Sequence, residues 1–142
     1  MTRPAAHDVL ILKHIRKVFF QGTVDEVVAL NGIDLAVADQ EFVTVIGSNG
    51  AGKSTLLNIV AGLFPPEKGG QVEIQGDDVT RLEEFKHARY VSRVWQEPEV
   101  GTSRNLTIEE NLSLAILRGQ ARTLKKATNR KRRRMFREAL AQ

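Results

Sequence analysis

Apolar residues recur in short runs broken by polar turns over the first 46 positions, and helical spacing takes over from position 53. Val9 to Ile15 reads as a strand, and Val24 to Leu30 as a second, with Gln21-Gly22-Thr23 as the turn between them. Ile33 to Val37 reads as a third, after the hairpin signal Asn31-Gly32. Asp39-Gln40-Glu41 interrupts before Phe42-Val43-Thr44-Val45-Ile46, an apolar run that reads as a central strand. From Lys53 the spacing predicts a helix that turns Leu56, Leu57, Val60 and Leu63 toward a sheet. It should end near Gly62, before Pro65-Pro66.

Beyond Gly69-Gly70, Gln71 to Gln75 alternates as a half-exposed strand and stops at Gly76-Asp77-Asp78. A short helix over Leu82 to His87 and a strand over Tyr90 to Trp95, with Trp95 facing the core, are predicted next. Gln96 to Ser103 has loop chemistry. Thr107-Ile108-Glu109-Glu110 matches a capping box and predicts a helix to about Leu117. A last helix follows Thr128, with Asn129 as its cap and Met135, Phe136, Ala139 and Leu140 on its apolar side. An antiparallel β portion leading into a strand-loop-helix unit makes the fold class α/β.

The loop in that unit is Gly47-Ser48-Asn49-Gly50-Ala51-Gly52-Lys53-Ser54-Thr55, which fits G-x-x-x-x-G-K-[ST] at every fixed position. A triphosphate packs several negative charges into a small volume. Backbone N–H groups at a helix N-terminus suit it, because their donors are unsatisfied and the helix dipole favours an anion. Glycines let the chain wrap closely around such a ligand. In this pattern Lys53 reaches the β- and γ-phosphates, Ser54 offers its hydroxyl to Mg²⁺, and Thr55 adds a phosphate contact. The rival reading is a glycine-rich turn that merely precedes a helix.

Charge changes the picture only once it is located. The 142 residues carry a net +4, but residues 118 to 137 hold ten Lys/Arg and no acid. Residues 1 to 117 hold eleven Lys/Arg against sixteen Asp/Glu, a net −5, so the body is acidic. No apolar run approaches the ~20 residues of a membrane-spanning helix, and the N-terminus lacks the apolar segment of a secretory signal, so a cytoplasmic chain is expected. There is no cysteine, which removes disulfides and thiolate metal sites. His7, His14 and His87 are too scattered to suggest a metal site, and Glu97 and Glu99 read as solvated loop charges.

Several further strings narrow the class. Ala29-Leu30 before Ile33-Asp34-Leu35, the Walker A loop Gly47 to Thr55, and Ala61-Gly62-Leu63 stand at one family's spacing. So do Val94-Trp95-Gln96-Glu97-Pro98 and Leu106-Thr107-Ile108-Glu109-Glu110-Asn111-Leu112. Together they resemble the ATP-binding subunit of an ABC transporter, and within that family the ATPase components of bacterial amino-acid importers. The resemblance implies a P-loop NTPase core over about residues 1–105 and the start of a helical subdomain over about 106–142. It implies Mg-ATP as cofactor, a membrane-spanning permease subunit and a second ATP-binding subunit as partners, and the cytoplasmic face of the cell membrane as location. It adds two roles. Gln96 would coordinate Mg²⁺ or the attacking water, and Phe19 falls where the family places an aromatic that stacks on adenine. An ordinary core place for Phe19 or Phe20 is the other reading.

The family's signature Leu-Ser-Gly-Gly-Gln, its apolar strand ending in Asp-Glu and its switch histidine do not occur in these residues. Leu117-Arg118-Gly119-Gln120 is a superficial echo, and Asp25-Glu26 follows Gly22-Thr23-Val24 rather than an apolar strand. The expectation is an N-terminal fragment that binds nucleotide and hydrolyses it poorly or not at all. The alternative from another class is a non-catalytic nucleotide- or nucleic-acid-binding module with a basic C-terminal helix, Arg130 to Arg134. Nucleic acid is disfavoured because no stacking aromatics accompany that run. A P-loop kinase or GTPase is disfavoured by the absence of a guanine-reading Asn-Lys-x-Asp string.

Overall fold

The computed structural model describes residues 8–117 and 129–141. They fall into two compact units that divide between Val91 and Ser92. The first is built on a four-stranded antiparallel sheet of spatial order β2-β1-β3-β4. Its strands are β1 (Asp8–Phe19), β2 (Val27–Ala38), β3 (Gln71–Ile74) and β4 (Asp77–Asp78). Helix α1 (Lys53–Val60) joins it, with Leu56 and Ile59 buried among Leu12, Ile15, Leu30, Val72, Ile74 and Val79. A short helix α2 (Glu84–His87) brings His87 into the interior.

The strands predicted on either side of Asn31-Gly32 are one strand. Gly32 has φ +76°, and Ile15 faces Ile33 while Arg16 faces Asn31, so Gly32 is the extra residue of a bulge. Positive φ here kinks a continuous ladder instead of closing a hairpin. A second irregularity lies opposite, at His14 (φ +51°), whose amide donates to Asp34 Oδ1 at 2.7 Å. That bond satisfies a donor the broken ladder leaves out.

Phe42 to Ile46 does not form the predicted strand, and Phe42 and Ile46 are about nine-tenths exposed. A strand is made by the ladder beside it, and among the described residues nothing pairs with this run. Tyr90 to Trp95 is likewise not a strand. The amides of Tyr90 and Val91 donate to His87 O and extend the α2 turn, while the Tyr90 hydroxyl donates to Asp77 Oδ2 at 2.9 Å. That bond to a carboxylate raises the Tyr90 pKa. In α1, Leu57 is about half exposed and Ile59 takes the inward place expected of it, while Leu63, beyond the helix, is only partly covered.

Helix α1 ends as a Schellman motif. Leu63 N donates to Asn58 O and Gly62 N to Ile59 O, both at 3.0 Å, with Gly62 at φ +77°. Gly62 is doubly required, because a Cβ there would lie 2.3 Å from the His87 ring.

The second unit contains α3 (Pro98–Gly101), α4 (Ile108–Ile116) and α5 (Arg130–Leu140). α3 is a single turn inside the predicted loop. The Arg93 guanidinium lies over the Trp95 ring at 3.8 Å, so Trp95 stacks on a cation instead of facing core from a strand. The capping box forms as predicted: Thr107 N and Oγ1 both donate to Glu110 Oε2, at 2.8 and 2.7 Å, and Glu110 N donates back to Thr107 Oγ1. Asn111 fastens the preceding loop, donating to Ser103 O and Leu106 O and accepting from Ser103 N. On α5, Asn129 caps Arg132 N at 2.9 Å and only Phe136 is buried; Met135 and Leu140 remain exposed.

Gly62→Ala should destabilise the first unit by roughly 3 kcal/mol in chemical denaturation, through overpacking on His87 and the left-handed backbone. The hydrogen bonds from Thr107 hold the Glu110 carboxyl below its usual pKa. Its contribution is therefore complete above the unfolded value of about 4.3 and lost as pH falls through the folded one. Glu110→Gln should flatten the acid limb of α4 helicity measured by circular dichroism, and Thr107→Ala should cost about 1 kcal/mol near neutral pH.

Candidate functional site

The loop Gly47 to Gly52 is short because it must turn sharply into α1. Gly50 and Gly52 take φ +82° and +83°, which only glycine adopts without strain. Ala51 N donates to Ser48 O at 3.2 Å and closes the turn. Gly52 is the N-cap residue of α1, and a Cβ on it would lie 2.3 Å from Ala29 O and 3.0 Å from Leu30. The loop is thus pressed onto the backbone of β2, which fixes where α1 begins.

That beginning is chemically bare. Gly52 supplies no side-chain cap, and there is no acid in the first turn. The first amides of a helix have no intrahelical acceptor, so the amides at the start of α1 form a donor cluster at the positive end of the dipole. Lys53 is half-buried, and its ammonium donates to Gly47 O at 2.8 Å and Ser48 O at 2.7 Å. Both acceptors are neutral carbonyls, so the bonds hold the side chain across the loop without cancelling its charge. Ser54 is exposed and Thr55 half-buried on the same first turn. Uncapped amides, an uncompensated ammonium and a free-standing hydroxyl fit a phosphate with its metal ion.

Gly47, Ser48, Asn49, Gly50, Ala51, Gly52, Lys53, Ser54 and Thr55 are therefore gathered on one loop and helix start. Phe19 is in the same unit, at the end of β1, half-buried and edge-on to Phe64 with centroids 5.7 Å apart. Lys17 lies 5.8 Å from its ring and 5.2 Å from that of Phe64. Phe20 is 69% exposed, with φ +52°. Gln96 is exposed and belongs to the second unit, just before α3. Ala29 escaped the sequence reading as part of the site. Its only signal was the Ala29-Leu30 pair itself, and its contact with Gly52 exists only in three dimensions.

The loop and the sheet behind it define a nucleotide-binding cassette of the P-loop type. A family model described as ABC transporter matches residues 30–142. The chain belongs to the ABC transporter family. It is 41% identical over 123 residues to a tyrosine transport ATP-binding protein of Clostridioides difficile, covering 87% of this chain and 49% of that protein. It is 47% identical over 81 residues to the thiamine import ATP-binding protein ThiQ of a Chelativorans species, covering 57% of this chain and 31% of that protein. Among solved structures, the dimeric bacterial ABC transporter cassette MJ0796 superposes with TM-score 0.72 at 26% identity, covering 93% of this chain and 56% of that one. A post-hydrolysis state of that cassette, bound to ADP and Pi, gives TM-score 0.71. The chain spans about half the length of the curated relative it matches over most of its own length.

Gly52→Ala should lower stability by about 3 kcal/mol, because the obstructing atom is a backbone carbonyl that cannot rotate away. Gly50→Ala meets open space and should cost only about 1 kcal/mol, the penalty of its backbone conformation. Comparing denaturation midpoints of the two variants tests whether contact with β2 fixes the loop.

Proposed function

We propose that this chain is part of the ATP-binding subunit of an ABC transporter, and that it binds Mg-ATP at the start of α1. The uncapped first turn of α1, with Lys53 held over the loop by two carbonyls, carries this reading. Lys53 then exchanges its carbonyl partners for the β- and γ-phosphate oxygens, and Ser54 supplies the protein ligand to Mg²⁺. Gln96 contributes to the metal or to the attacking water, and Phe19 offers a ring face to adenine. Hydrolysis requires carboxylates to hold the metal and orient the water. No apolar strand ending in Asp-Glu occurs in these 142 residues, so they bind nucleotide without efficient turnover.

Family membership supports two partners. A second ATP-binding subunit completes the site, a reading supported by the dimeric form of the similar cassette. A membrane-spanning permease uses the resulting closure and opening, at the cytoplasmic face of the cell membrane. Among the described residues no helix is long and apolar enough to cross a membrane, which is consistent with a peripheral place. An amino acid is the proposed cargo, a reading supported by the similarity to a tyrosine transport ATP-binding protein.

Lys53→Ala should weaken Mg-ATP binding at least tenfold in a fluorescence titration, the consequence of losing one charge-assisted contact. Unchanged affinity would remove Lys53 from the phosphate site.

A further inference from the structure

One strongly charged surface has no part in nucleotide binding. α5 carries Arg130, Lys131, Arg132, Arg133, Arg134 and Arg137 against a single acid, Glu138. Arg130, Arg133, Arg134 and Arg137 stand at helical spacing and, with Glu138, line one shallow recess on the same face. The arrangement opposes the helix dipole, since four cations and no acid occupy the first turn. It also opposes itself, because adjacent like charges repel. Internal compensation is slight: Arg133 Nε donates to both carboxylate oxygens of Glu109, at 2.7 and 2.9 Å, and Arg134 pairs with Glu138 on the surface. Among the described residues Arg130, Lys131 and Arg137 have no ion pair.

Such a face is suited to a partner rich in phosphate or carboxylate. Short cytoplasmic loops of membrane proteins carry an excess of Lys and Arg, so a permease loop is the wrong sign. Base-reading or base-stacking nucleic-acid recognition asks for aromatic or base-edge contacts beside the cations, and the aromatic of α5, Phe136, is buried. An anionic lipid leaflet asks only for a row of cations at one height, which the Arg130–Arg137 face provides. Leu140, exposed near the end of the same helix, adds an apolar edge that the interfacial region accepts.

We infer that the Arg130-Arg133-Arg134-Arg137 face of α5 docks on the phosphate headgroups of an anionic membrane surface, next to the permease. The acidic residues 1–117 are repelled by that same surface, so attraction is confined to the basic end of the sequence. The inference rests on the family reading for the presence of a membrane.

The test is flotation of the 142-residue chain with vesicles of phosphatidylcholine alone or mixed with phosphatidylglycerol. Binding is expected only to the mixed vesicles and should weaken as salt is raised. Arg130→Gln, Arg134→Gln and Arg137→Gln combined should weaken it roughly a hundredfold, about fivefold for each cation. Lysine at the same three positions should retain it, which separates charge from helix damage. Lys13→Gln, Lys68→Gln and Arg81→Gln combined remove equal charge from the first unit and should leave binding within about twofold. Mg-ATP affinity should be unchanged by the α5 substitutions, so failure here and failure of the nucleotide reading are told apart. Equal binding to neutral vesicles, equal loss with the first-unit variant, or tighter binding to an oligonucleotide than to mixed vesicles at one salt concentration would overturn the proposal.

Discussion

Two demands meet at Gly52. Its backbone must turn left-handed to start α1, and its missing side chain must let the loop rest on the carbonyl of Ala29. Any other residue strains the turn and collides with that carbonyl. Once Gly52 is seated, the direction of α1 is set by β2, and the direction of α1 aims its unsatisfied amides. The core repeats the link, because Leu30 is buried with Leu56 and Ile59 just beyond the glycine contact. Position of the donors is thus a property of the sheet, transmitted through one residue without a side chain.

Lys53 shows how the loop keeps its shape without a ligand. Its two carbonyl acceptors, Gly47 O and Ser48 O, lie on the arc that its own chain describes. The ammonium spans the loop from within, and Ser48 O also accepts from Ala51 N. An acid in that place would have locked the lysine as a salt bridge and cancelled the charge the site uses. Neutral acceptors hold it more weakly, so at the proposed site phosphate oxygens would replace them with stronger partners.

Local chemistry was legible along the chain, and pairing was not. The glycine-lysine loop, the close of α1 at Gly62, the Thr107–Glu110 capping box and the Asn129 cap depend on residues within a few positions of one another, and each formed. Asn31-Gly32 misled because positive φ at glycine serves a bulge as well as a turn, and only the opposite strand decides which. Phe42 to Ile46 and Tyr90 to Trp95 have strand composition, but composition supplies no ladder. The pair Phe19-Phe20 was ambiguous for a different reason. Neighbouring residues on a strand face opposite sides, and the sequence marks neither; the packing places Phe19 against Phe64 and leaves Phe20 outside. The contact of Gly52 with Ala29 joins residues 23 positions apart and had no local mark.

The two surfaces proposed to bind anions would work by different physics. Residues 1 to 91 hold nine Lys/Arg against twelve Asp/Glu, a net −3, yet this unit carries the phosphate loop. Long-range attraction cannot account for affinity there. It must come from oriented amides and one lysine at contact distance, where screening by salt is small. α5 is the opposite case: all its cations but Arg132 are exposed, and their effect is a field that falls off within about 8 Å at physiological ionic strength. Salt should therefore separate the two surfaces, leaving the glycine loop largely intact as a site while the α5 face fades.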